Sequence, residues 1–175
     1  MTAPPPDTLH LDRMDTPLGV LLLVTDEAGR LRALDFEDYQ PRMVRLLARH
    51  YGDLPIGQGA APPSIRQALS AYFTGDLTAL GAIPWAVGGT DFQRQVWTAL
   101  TTIPPGETLS YAGLAQRIGR PSAVRAVGLA NGANPVALVV PCHRVIGASG
   151  ALTGYAGGVE RKRWLLAHER AAEAA

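Results

Sequence analysis

The chain of 175 residues has one cysteine, one lysine and no apolar run near the ~20 residues that a bilayer-crossing helix needs. A single cysteine excludes an intramolecular disulfide and any zinc site built from several cysteines. The opening Met1-Thr2-Ala3-Pro4-Pro5-Pro6 lacks a cationic segment followed by an apolar stretch, so no secretory signal is expected. These absences read as a cytoplasmic protein with no membrane partner. A strong excess of one charge is also missing, since the net charge is +1. The lone lysine, Lys162, stands among fifteen arginines, a bias that composition alone can explain.

Hydrophobic residues make up 47% of the chain and charged residues 18%, a globular balance sufficient for one compact domain or two small ones. The charge is uneven. Residues 1–90 have three more acids than bases, and residues 91–175 have four more bases than acids. The basic second half suits a polyanionic partner without requiring one.

The first half reads as a small α/β unit, residues 1–85. Gly19–Thr25 is a buried-strand run, Asp26–Arg30 a polar turn and Leu31–Phe36 an alternating strand, which together predict a β-hairpin. Pro41 can open a helix that ends near His50, and a second helix fits Pro63–Phe73, with Gly75 past its end. Residues 81–90, with Pro84, Gly88 and Gly89, read as a linker.

Residues 90–175 read as a mostly helical domain, so the fold class is α/β (α+β). Thr90 or Asp91 can cap a helix bearing Phe92, Val96, Ala99 and Leu100. Ser110 can cap a second, with Tyr111, Leu114, Ala115 and Ile118 at i, i+3, i+4, i+7 spacing. The turn Gly119–Ser122 leads into a third helix, roughly 122–131, and the pair suggests a helix-turn-helix. That third helix has small residues at Ala123, Ala126, Gly128, Ala130 and Gly132, with Arg125 its one base. Such a surface fits close helix packing or entry into a narrow groove, and spacing does not separate the two.

An apolar run from Val136 to Val140 ends in Pro141-Cys142-His143-Arg144. The thiolate is the nucleophilic form of cysteine, and its ordinary pKa near ~8.5 means that reactivity needs help. His143 can take the thiol proton directly or through water, and Glu169, at the end of a helix over 159–169, can orient it. Arg144 adds positive charge. The bland alternatives are a core cysteine beside a solvated histidine. A Cys-His-Glu hydrolase and a non-catalytic DNA binder are the other functions these residues allow.

The second half resembles the O6-alkylguanine-DNA alkyltransferases in many blocks in one order. They include Phe92-Gln93 with Val96-Trp97, Ile103-Pro104 with Gly106, Ser110-Tyr111, Arg125-Ala126-Val127-Gly128, Asn134-Pro135 and Pro141-Cys142-His143-Arg144-Val145-Ile146-Gly147. Gly154-Tyr155, Gly157-Gly158, Lys162, Leu165-Leu166 and Glu169 follow. The first half resembles the family only in layout. Ala148-Ser149 departs from the acidic residue often found in that loop.

The resemblance implies repair of DNA by a single, irreversible transfer of an alkyl group from O6-alkylguanine to Cys142. The implied substrate is double-stranded DNA, entered from the minor groove by a monomer. Arg125 would fill the stack vacated by the flipped base, on a surface formed with Ser122, Ala126 and Gly128. His143 would act as a water-mediated base oriented by Glu169, and Asn134 would hold the turn carrying Cys142. Tyr111 would donate its hydroxyl to guanine N3. Tyr155, Ala156 and Gly157 would wall the pocket, with the Ala156 N–H toward the guanine oxygen. The carbonyls of Cys142 and Val145 would accept from the exocyclic amine. No cofactor is implied. Some members hold zinc in the first half through cysteine and histidine, a site not expected here because no cysteine precedes Cys142.

Overall fold

The computed structural model describes residues 3–152, 154–155 and 157–174. The chain divides into two compact units, residues 1–88 and 89–175.

In the first unit, β1 (Leu9–Thr16), β2 (Gly19–Asp26), β3 (Leu31–Phe36) and β4 (Ile56–Gln58) form one sheet in the order β3-β2-β1-β4. The hairpin over 19–36 is present, with antiparallel register from Leu21 opposite Phe36 to Thr25 opposite Leu31. Its turn is tied by Asp26, whose carboxylate accepts from the Ala28 and Arg30 N–H groups. β1 and β4 have no counterpart in the sequence reading. β1 places Asp12, Arg13 and Asp15 among its apolar residues and buries only Leu9 and Leu11, so its period-2 signal is short. Helices α1 (Gln40–Tyr51) and α2 (Pro63–Phe73) sit where Pro41 and Pro63 predict them. Met43 and Leu47 of α1 pack with Leu9, Leu11, Leu22, Val24 and Ala33 in one core cluster.

The second unit contains α3 (Asp91–Leu100), α4 (Tyr111–Arg117), α5 (Val124–Gly132) and α6 (Val159–Ala174). Two short strands, β5 (Leu109–Ser110) and β6 (Val145–Ile146), pair in parallel. Thr90 caps α3 in a reciprocal box: its side chain accepts from the Gln93 N–H at 3.1 Å, and Gln93 Oε1 accepts from the Thr90 N–H at 3.0 Å. Gly89 precedes it at φ +87°, where an added Cβ would lie 2.7 Å from Gln93 Oε1 and 2.9 Å from the Trp97 ring. Only glycine fits that approach. Ser110 caps α4 by accepting from the Gly113 N–H at 2.9 Å.

Two boundaries differ from the sequence reading. α5 begins at Val124 rather than near Ser122, because Ala123, at φ −93° and ψ 31°, is still outside helical geometry and closes a turn onto Arg120. α6 runs on to Ala174, so Glu169 lies within the helix rather than at its end. Among the described residues, no helix is long and apolar enough to cross a membrane.

Candidate active site and nucleic-acid interface

The segment 134–147 has little regular structure, so its shape is set by specific bonds. Asn134 is buried and bridges the bend: its Nδ2 donates to the Val140 carbonyl at 2.8 Å, and its Oδ1 accepts from the Val136 N–H at 3.0 Å. Between them Leu138 holds φ +69°, a left-handed conformation that a leucine rarely adopts. The chain then enters a 3-10 turn over Cys142–Arg144, with the Arg144 N–H donating to the Pro141 carbonyl at 3.0 Å. That turn puts Cys142, His143 and Arg144 in the interior together.

His143 is fully buried, which removes the reading of a solvated surface histidine. Its Nε2 lies 2.8 Å from Glu169 Oε2. Arg144 grips the same carboxylate with two bonds, Nε to Oε1 and Nη2 to Oε2, each 2.9 Å. Its Nη1 donates to the Ile103 carbonyl at 2.7 Å. Arg144 is therefore more than a source of positive charge, since it fixes Glu169 in the fork geometry that suits guanidinium and carboxylate. Burial alone would raise the Glu169 carboxyl, but His143 and the Arg144 guanidinium outweigh it and hold it far below the ordinary range. Burial pushes the His143 imidazole down, and Arg144 and Lys162 add to that against the opposing pull of Glu169. The result is a neutral imidazole donating from Nε2 to an ionised Glu169. Nδ1, which has no hydrogen-bond partner among the described residues, is left as the acceptor.

Lys162 is a residue to which sequence reasoning gave no role. It is completely buried, and its Nζ donates to the Val145 carbonyl at 2.6 Å. Burial lowers its pKa, while attraction to Cys142 opposes the fall. The signal available in the sequence was a lone lysine among arginines, seventeen residues after Val145 and twenty after Cys142, a spacing that does not by itself show the contact. The Val145 N–H in turn donates to the Cys142 carbonyl. Both carbonyls expected to meet a substrate amine thus already accept one bond, and each retains a second lone pair.

The parallel pair β5–β6 sets Ser110 beside Ile146, which carries Tyr111, the first residue of α4, close to the Cys142 turn. Tyr111 is half-buried, and its ring lies 3.7 Å from where a Cβ on Gly128 of α5 would stand. On α5, Val127, Ala130 and Asn131 face inward, and Trp97 Nε1 donates to the Ala130 carbonyl at 2.8 Å. Arg125, Ala126 and Gly132 are exposed, as is Ser122 in the preceding turn. Of the small residues, Ala126 and Gly132 are therefore exposed, Ala123 and Gly128 half-buried and Ala130 buried. Tyr155 is buried with its ring edge-on to His143 at 6.4 Å, and Gly157 is buried nearby in sequence. Ala156 lies outside the described residues. Among those residues, no group of three or more His, Cys, Asp or Glu side chains could hold a metal ion.

Residues 91–171 match the family model described as 6-O-methylguanine DNA methyltransferase, DNA binding domain. Residues 10–87 match the model described as the ribonuclease-like domain of the same family, so the first half shares more than layout. The chain is 51% identical over 160 residues to a methylated-DNA–protein-cysteine methyltransferase of Shigella flexneri, covering 90% of this chain and 94% of the relative. It is similar in structure to the O6-methylguanine methyltransferase of Mycobacterium tuberculosis, with a TM-score of 0.79, 45% identity and 94% of each chain covered. It is also similar to that organism's OGT in complex with DNA, with a TM-score of 0.80, 45% identity, and 93% of this chain and 94% of that one covered.

Proposed function

The chain belongs to the 6-O-methylguanine DNA methyltransferase family, and on that premise we propose that it repairs alkylated guanine in duplex DNA by accepting the alkyl group on Cys142. The observation that carries the reading is the buried pair His143–Glu169, directly beside the only cysteine, with His143 Nδ1 left as an acceptor.

The step is a direct displacement. The Cys142 thiol gives its proton to His143 Nδ1, through a water where the two do not touch, and Glu169 stabilises the imidazolium that forms. The Cys142 sulfur attacks the alkyl carbon, the S–C bond forms as the C–O6 bond breaks, and the bonding pair leaves with guanine. Protonation of the base then restores guanine. The Lys162 ammonium, which is attracted to Cys142, favours the thiolate. A thioether is a poor leaving group, and no other cysteine exists to regenerate the thiol, so each molecule acts once.

The target atom faces the major groove inside a stacked duplex, so the base must be flipped out. Arg125, exposed on α5 and free of ion pairs among the described residues, takes its place in the stack. Ala126, Gly128 and the turn at Ser122 let the backbone approach the minor groove closely. Tyr111 bridges α4 and α5 and donates its hydroxyl to guanine N3, where charge develops as the base departs. Tyr155 and Gly157 wall the pocket, and the second lone pairs of the Cys142 and Val145 carbonyls accept from the exocyclic amine that distinguishes guanine from adenine. Nucleophile, base and finger all lie on one unit, which supports action as a monomer.

The test is stoichiometry. With O6-methylguanine duplex in excess, repaired guanine should plateau at one per protein molecule. Continued turnover would instead favour a Cys-His-Glu hydrolase-like chemistry.

A further inference from the structure

Large apolar side chains exposed to solvent are few among the described residues, and Leu129 is the most exposed of them at 73%. It lies one helical turn after Arg125. Positions 125, 128, 129 and 132 stand at i, i+3, i+4 and i+7 and share one face of α5. The rotation of α5 is fixed from the other side by buried Val127, Ala130 and Asn131 and by the bond from Trp97 Nε1 to the Ala130 carbonyl. Leu129 is therefore turned outward by packing.

On a face that is otherwise arginine and glycine, a leucine gains nothing from water. Against the minor groove it meets the C–H edges of deoxyriboses and the exposed edge of a base step. Proteins that enter this groove commonly use such an apolar wedge beside a basic residue. We propose that Leu129 is a second DNA-contacting prong, seated about 6 Å along α5 from Arg125, which holds the minor groove open while Arg125 occupies the vacated stack. The proposal rests on the reading of α5 as the minor-groove helix. Three observations make DNA the occupant rather than another protein. Arg125 on the same face has no ion pair among the described residues. α5 contains no acidic residue. The helix lies within the match to a DNA binding domain.

The test compares wild type, Leu129→Ala, Leu129→Met and Arg125→Ala. Each is measured for single-turnover transfer from an O6-methylguanine duplex, for reaction with free O6-benzylguanine, and for duplex affinity across a salt series. Leu129→Ala should bind duplex about 10-fold more weakly, equivalent to about 1.4 kcal/mol, and repair it correspondingly slowly. It should react with the free base at the wild-type rate. Its slope of log affinity against log salt should match wild type, because no phosphate contact is lost. Leu129→Met should recover most of the difference. Wild-type duplex affinity in Leu129→Ala, an equal loss on free base, or a slope reduced by about one would each overturn the proposal. If Arg125→Ala alone loses duplex repair, Leu129 is excluded and the minor-groove reading stands. If wild type transfers no methyl from the duplex, both fall together.

Discussion

His143 Nε2 lies 2.8 Å from Glu169 Oε2, with neither side chain exposed to solvent. This pairing sets the protonation state of the site: an ionised Glu169 holds a neutral imidazole by Nε2–H, so the lone pair sits on Nδ1. Removing the base should therefore slow the chemistry without abolishing recognition. His143→Gln should lower the single-turnover transfer rate at neutral pH by about 10²–10⁴-fold and recover part of it as rising pH forms the thiolate without a base. A pH–rate profile on duplex substrate checks this, and an unchanged rate at neutral pH would remove His143 from the mechanism.

Glu169 is shared by three donors, from His143 and twice from Arg144. Glu169→Gln leaves a buried guanidinium without its counter-charge, and the fold should lose about 3–5 kcal/mol. Urea unfolding at neutral pH measures the loss. A change below about 1 kcal/mol would mean that the network is not holding α6 against the Cys142 turn.

Acid should destabilise the protein in two stages. The folded-state pKa of His143 is pushed below its ordinary 6.5, first by burial. That of Glu169 is held below its ordinary 4.5. Both groups are depressed on folding, so their contributions are complete above those ordinary values and are lost as pH falls and the unfolded chain takes up protons. Urea midpoints should begin to drop below about pH 6.5 and drop more steeply below about pH 4.5. A midpoint that rises on mild acidification would contradict the assignment.

Gly128 separates stability from function. It lies within α5 without a positive φ, and an added Cβ would make only ordinary contact with the Tyr111 ring at 3.7 Å. Gly128→Ala should stabilise the fold by about 0.5–1 kcal/mol yet slow repair of duplex DNA, because the methyl stands against the ring of Tyr111, whose hydroxyl the proposed reaction uses. Thermal unfolding and duplex repair, measured together, should move in opposite directions.

Local signals made much of this protein legible. Pro41, Pro63, Thr90 and Ser110 mark helix starts through fixed φ or capping oxygens, and the hairpin over 19–36 follows from its polar turn. Pairings distant in sequence were less readable. Nothing near Arg144 shows that it forks onto Glu169 and the Ile103 carbonyl, and nothing near Lys162 shows that it reaches Val145. The left-handed Leu138 has no sequence signature, because leucine seldom adopts that conformation; Asn134, which spans it, was readable only through the family resemblance. α5 begins two residues later than the helix expected from about Ser122, because Ala123 is still in turn geometry, which no local residue signals.

The most direct measurement is the mass of the peptide containing Cys142 after one equivalent of O6-methylguanine duplex has been added to the protein. The account predicts a gain of a single methyl group on that peptide, with unmodified guanine recovered in the DNA. An unchanged peptide mass alongside restored guanine, or alongside tight binding with the lesion intact, would contradict it.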